Sequence, residues 1–187
     1  MPYRAPLTEL RFVLDHVAGF AQVAATPRFA EASPETVAAV LGEAGRLSEE
    51  TLTPLNRVGD THPARLENGV VRTSSGFAEG YRAITAGGWV GMAASPAHGG
   101  MGLPMALTSC VNEMLGSACL ALQMYPLMTQ GQIEALEHHA SDALKAHYDV
   151  GDKQPFTARP IHHRYFLFPL NLPPEATQTV LLRVRST

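Results

Sequence analysis

The chain has 187 residues, 45% of them hydrophobic and 17% charged, with a net charge of -3. That length and apolar fraction fit a globular domain with a substantial core and exclude a wholly disordered chain. The mildly acidic balance points away from nucleic-acid surfaces and polybasic membrane anchors, so neither partner is expected.

In chain order, Thr8 is placed to cap a short helix whose apolar positions are Leu10, Val13, Leu14 and Val17. Ser33-Pro34-Glu35 is a stronger start, with serine at the N-cap, proline at the first helical position and an acid in the first turn. The spacing predicts that this helix buries Val37, Val40, Leu41, Ala44 and Leu47 and stops before Pro54. Residues 55–75 read as a polar connection, in which Asn68-Gly69 centres a hairpin over Arg65–Arg72. Phe77, Tyr81 and Ile84 mark another helix, ended by Gly87-Gly88. Residues 88–104 read as a loop anchored by Trp89. A long helix follows from Pro104 to about Tyr125, with a stripe of Leu107, Val111, Met114, Leu115, Ala118 and Leu122. Pro126 is expected to interrupt it, with a further helix over about Thr129–His138 and a short turn capped by Ser141-Asp142.

Composition breaks near Asp149. Residues 1–148 hold 24 of the 26 alanines and 15 of the 16 glycines, whereas the last 39 residues hold five of the 14 prolines. Net charge changes from -5 to +2 across the same point. The tail carries two β-prone runs, Arg164–Phe168 and Thr179–Val184. The two parts read as unrelated sequences: a mainly α domain over 1–148 and a β-prone, poorly ordered tail over 149–187.

The chemistry-bearing residues form no motif. His138 and His139 are adjacent and point about 100° apart on a helix, and Glu134 with His138 supplies two ligands where zinc needs three or four. His162-His163 adds nothing, and no metal site is expected. Gly99, Gly100 and Gly102 lack the preceding strand and sixth-position glycine of a dinucleotide loop, so a tight connection is the better reading. No GxSxG motif exists, and neither cysteine has a histidine nearby in sequence. Glu113 falls on the polar flank of the long helix. Cys110 and Cys119 lie nine residues apart on one helix and cannot bond to each other there. Free thiols and the lack of a secretory-type leader predict a cytoplasmic protein. The most apolar stretch, Met114–Met128, is broken by Gln123 and Pro126 and too short to span a bilayer.

Several segments, taken together, resemble the N-terminal region of the acyl-CoA dehydrogenase family. They are Tyr3–Leu7 and Arg11–Leu14, matching a branch-specific extension over 1–32, then Pro54-Leu55-Asn56 with Gly59-Asp60 and Gly88–Gly91. Gly99–Pro104, Met124-Tyr125-Pro126, Thr129-Gln130-Gly131 and His138–Asp142 follow in the family's order. The resemblance implies the helical first domain of a three-domain FAD enzyme that removes an α-proton from an acyl-CoA with a glutamate while hydride leaves Cβ for the flavin. It also implies that Leu122, Met124, Tyr125 and Thr129 wall the blind end of the acyl pocket. The family's flavin-contacting Thr-Glu-Pro and Gly-Ser-Asp loop does not follow Tyr148, and its catalytic glutamate belongs to the C-terminal domain. Hence no catalytic or cofactor-binding residue is assigned. The expectation is a truncated acyl-CoA dehydrogenase-like protein, inactive alone and not retaining FAD, with an exposed interdomain surface prone to self-association. The rival expectation is a non-catalytic helical module that partners a flavoprotein subunit.

Overall fold

A computed structural model describes residues 3–141. The expectations for the β-prone tail, its order and the turn after Ser141 fall outside the described residues. Among the described residues, six α-helices and one hairpin make up a mainly α domain: α1 Leu7–His16, α2 Phe20–Ala24, α3 Pro34–Arg46, α4 Thr53–Thr61, α5 Phe77–Ala86 and α6 Met105–His139. The hairpin pairs β1 Arg65–Glu67 with β2 Val70–Arg72.

Helix α1 starts after Pro6 without a side-chain cap, so Thr8 lies inside it rather than at its N-cap. It buries Leu10 and Leu14, while Val13 and Val17 face solvent at 45% and 71% exposure. One helical face suffices because the extension packs on the domain from one side. Glu49 fixes that packing, accepting the Ala5 N–H at 2.9 Å and an Arg4 guanidinium N–H at 2.6 Å. These two bonds hold its carboxyl below the ordinary value, the backbone N–H contributing most.

Ser33 caps α3 as expected, its hydroxyl accepting the Thr36 N–H at 3.2 Å. Val37, Leu41, Ala44 and Leu47 are buried, with Val40 at the edge of the core. The helix does not stop before Pro54. It runs on through a π-helical segment, Leu47–Leu52, directly into α4. The wider winding, with the Thr53 N–H bonded to the Ser48 carbonyl five residues back, shifts the hydrogen-bond register ahead of Pro54. Proline then occupies the first turn of α4, where its missing N–H is tolerated. The first third of the anticipated polar connection, residues 55–61, is therefore helix.

The hairpin forms where Asn68-Gly69 predicts it, with positive φ at both residues (51° and 76°) and Leu66 opposite Val71. Helix α5 buries Ile84 completely and ends at Gly87-Gly88. The following loop folds onto itself through Met101 N–H to Gly91 carbonyl (3.0 Å) and Leu103 N–H to Met92 carbonyl (2.8 Å). A side chain at Gly100 would collide with the Ala94 carbonyl oxygen, which makes this the tight connection expected of the glycine cluster.

The predicted stripe of α6 is buried throughout, from Leu107 to Leu122. Its interruption is elsewhere than expected. Pro126 lies within helix, and the break falls at Cys119, whose backbone is extended (φ -156°, ψ 88°). The chain folds back there. Asn112 and Gln130 would lie about 27 Å apart on a straight helix, yet Asn112 Nδ2 donates to Gln130 Oε1 at 2.8 Å. The two arms thus pack side by side, and half of the most apolar window of α6 is buried, as in a core helix. The core runs from Leu10, Leu14 and Phe20 of the extension through Leu41 and Leu52 to Ile84, Val111 and Met114.

Candidate functional site

The fold-back sets the second arm of α6 beside α5. Between them lies an apolar cleft of about 240 Å³ lined by Thr73, Phe77, Ala78, Tyr81, Leu122 and Tyr125. Phe77 and Tyr81 share a face of α5 through their four-residue spacing. Leu122 forms the floor at 2% exposure and Tyr125 the rim at 62%. The rings of Tyr81 and Tyr125 meet edge to face, their centroids 6.4 Å apart. Gly80 lets the wall close, since a Cβ there would stand 2.6 Å from Leu55 and 2.9 Å from Leu122.

Of the four residues that the resemblance placed at the pocket wall, the structure brings Leu122 and Tyr125 together in this cleft. Met124, next to Tyr125 but about 100° around the helix, is 48% exposed outside the lining. Thr129 sits one turn on, its hydroxyl donating to the Tyr125 carbonyl at 3.2 Å. Phe77 and Tyr81 were legible only as helix markers. Their role as a facing wall depends on α6 turning back onto α5.

An amide network holds the arms that frame the cleft. Gln123 Nε2 donates to Asn112 Oδ1 at 2.7 Å, and Gln130 Nε2 donates to the Trp89 carbonyl at 3.2 Å. The Gln123 Oε1 atom is buried without a donor among the described residues. Farther along, Glu137 Oε1 accepts the Ser95 N–H at 2.7 Å and fixes the glycine-rich loop to the second arm.

Reactive groups lie away from the cleft. Cys110 and Cys119 are free and buried. Burial, and then the charge of Glu113, push the Cys110 thiol up, which disfavours the thiolate. Glu113 itself is exposed. His138 and Glu134 form a surface pair at 2.9 Å. Among the described residues, no three His, Cys, Asp or Glu side chains are grouped to hold a metal.

Comparison with known proteins agrees with this architecture. Residues 59–149 match the family model described as acyl-CoA dehydrogenase, N-terminal domain. A 3-methylmercaptopropionyl-CoA dehydrogenase from Ruegeria pomeroyi is 37% identical over 148 residues, which cover 79% of this chain and 25% of the relative. The chain thus spans about a quarter of the length of the curated relative it matches. A second family model, described as 7TMR-DISM extracellular 2, matches residues 129–187. It covers the segment beyond Asp149 where composition changes, and overlaps the first model over 129–149. The helical fold, the order of its segments and the matched residues agree: this chain is similar to the helical N-terminal domain of the acyl-CoA dehydrogenase family.

Proposed function

We propose that the helical domain supplies one wall of the acyl-binding pocket of an FAD-dependent acyl-CoA dehydrogenase, and that these 187 residues do not catalyse the reaction unaided. The cleft between α5 and the second arm of α6 carries this reading. It is apolar and lined by aromatic rings, which suits the far end of an acyl chain. Met124, beside the rim, offers an adaptable contact for the chain, and Thr129 holds the backbone of Tyr125.

A flavin dinucleotide is far larger than this cleft, and the residues around it provide no cradle for an isoalloxazine ring. This cleft by itself does not fit FAD, so no step of the dehydrogenation is assigned to its residues. The proton-abstracting glutamate and the flavin contacts of the reading belong to parts of the enzyme outside the helical domain. Two buried, unpaired thiols suit a reducing, cytoplasmic setting for that domain.

The test is a spectrum and a titration on the purified 187-residue protein. The expected result is a colourless protein with no acyl-CoA-dependent dye reduction, in which acyl-pantetheines perturb the NMR signals of Leu122 and Tyr125 more strongly as the acyl chain lengthens. A yellow preparation that bleaches with acyl-CoA would overturn the inactivity, and an unperturbed cleft would overturn the pocket assignment.

A second reading is a non-catalytic module that docks on a flavoprotein subunit. The exposed apolar residues Leu120, Met124, Leu127 and Met128 on the second arm of α6 favour it. It predicts that a flavoprotein co-purifies with the chain and is released by Leu127→Glu with Met128→Glu. The same face is the surface through which the isolated domain would self-associate.

A further inference from the structure

The second arm of α6, residues 120–139, has an apolar side that the domain leaves uncovered. Leu120, Met124, Leu127 and Met128 are 60%, 48%, 45% and 65% exposed among the described residues. At about 100° per residue they fall within one stripe roughly 100° wide. Gly131 and Ala135 continue it toward the end of the arm, with open space over Gly131. The opposite side of the same arm, at Leu122, Pro126 and Leu136, is buried. Four large apolar side chains in one exposed stripe mark an interaction surface.

The occupant that fits is carried by the chain itself. Residues 142–187 lie beyond the described part and start where the arm ends, after Ser141. They hold two apolar runs, Arg164–Leu170 and Thr179–Val184. Side chains alternate along an extended strand, so Phe166, Phe168 and Leu170 share one side of the first run. Val180, Leu182 and Val184 share one side of the second. A two-stranded ribbon is marginal in water by itself and is stabilised by packing on a helix. Stripe and runs therefore each supply what the other lacks. The connection reaches: residues 142–163, extended at about 3.3 Å each, span about 70 Å, against about 30 Å for the whole arm. Charge agrees, since residues 1–148 carry -5 and residues 149–187 carry +2. A tethered segment also meets the stripe at an effective concentration on the order of millimolar, above that of a separate chain.

We propose that Arg164–Leu170 and Thr179–Val184 pair as a β-ribbon that docks, through Phe166, Phe168, Val180 and Leu182, on the stripe from Leu120 to Met128. The tail then covers the domain's own apolar face. This does not rest on the acyl-pocket reading, because the stripe lies on the side of the arm opposite Leu122. A flavoprotein subunit using the same face must first displace the tail, and a second copy of the chain competes with a tethered segment.

The experiment uses the full 187-residue chain with isotope-labelled methionine methyl groups, as the parent and as a Phe166→Asp, Phe168→Asp double variant. In a monomeric parent, the Met124 and Met128 methyls are expected to show NMR contacts to phenylalanine rings. In the variant those contacts vanish and the two signals move, while the buried Met92 and Met114 signals stay and show an intact core. Limited proteolysis between residues 149 and 187 should speed up at least about tenfold, because losing one large buried apolar side chain shifts the docked population by that much. Met124→Glu with Met128→Glu should release the tail from the other side with the same acceleration. Met124 and Met128 signals that ignore the tail substitutions in a monomeric protein overturn the proposal. Contacts that appear only between differently labelled copies overturn it in favour of a second chain. A co-purified flavoprotein that shields those methyls while the tail is cleaved at the variant's rate overturns it in favour of the partner.

Discussion

Asn112 and Gln130 are 18 residues apart on one helix and 2.8 Å apart in space. Their bond, with Gln123 and the Trp89 carbonyl, fastens the two arms of α6 and so positions Leu122 and Tyr125 against α5. Buried amide networks of this kind are costly when incomplete and select one arrangement when satisfied.

Asn112→Ala should therefore lower stability by about 1–3 kcal/mol, since it strands the Gln123 Nε2 donor and the Gln130 Oε1 acceptor. Gln123→Met should cost less, because it removes a group whose Oε1 is already unsatisfied and fills the space with an apolar chain of similar shape. Urea unfolding of the two variants checks the order. A loss for Asn112→Ala within about 0.5 kcal/mol, the range of an ordinary surface change, would show that the network does not control the fold-back.

Leu122→Ala should cost about 2–5 kcal/mol, as expected for a buried leucine. Tyr125→Ala, at an exposed rim position, should stay within about 1 kcal/mol while loosening the binding of long acyl chains. Thermal melts paired with acyl-pantetheine titrations separate the floor of the cleft from its rim.

Gly80→Ala should be destabilising by about 1–3 kcal/mol, because its methyl would stand 2.6 Å from Leu55 and 2.9 Å from Leu122. A concurrent Leu55→Ala change should recover part of that loss. Denaturant midpoints of the single and double variants measure the coupling, and purely additive effects would contradict the contact.

The extension should loosen in acid. Glu49 has its folded-state pKa below the ordinary 4.5 because it accepts bonds from Ala5 and Arg4. Its contribution is then complete above about pH 4.5, where the carboxylate exists in folded and unfolded chains alike, and is lost as pH falls through the lowered value. Proteolysis within the first 30 residues should rise across that acidic window in the parent. Glu49→Gln should show the faster cleavage already at neutral pH and little further change with acid.

Ser33→Ala should reduce stability by about 1 kcal/mol through the lost N-cap, with helix content following α3 in circular dichroism. Such a cap is visible in sequence because it joins residues three apart, Ser33 and Thr36. The Asn68-Gly69 turn and the buried stripe from Leu107 to Leu122 are visible for the same reason. Their causes are local dihedral preference and helical periodicity.

Proline was the misleading signal. Pro54 and Pro126 both read as breaks, yet one stands in the first turn after a π segment and the other within the second arm of α6. The real break, Cys119, has no local mark of its own. It follows from contacts made at a distance, including the bond between Asn112 and Gln130 and that from Gln130 to the Trp89 carbonyl. The sequence by itself determined the helical class, the hairpin and the likeness to the acyl-CoA dehydrogenase N-terminal domain. Only the tertiary structure decided that α6 turns back on itself, that Phe77 and Tyr81 form the facing wall, and that the stripe from Leu120 to Met128 stays uncovered among the described residues. Those outcomes depend on which distant groups can be buried and hydrogen-bonded together, and no short-range pattern records that.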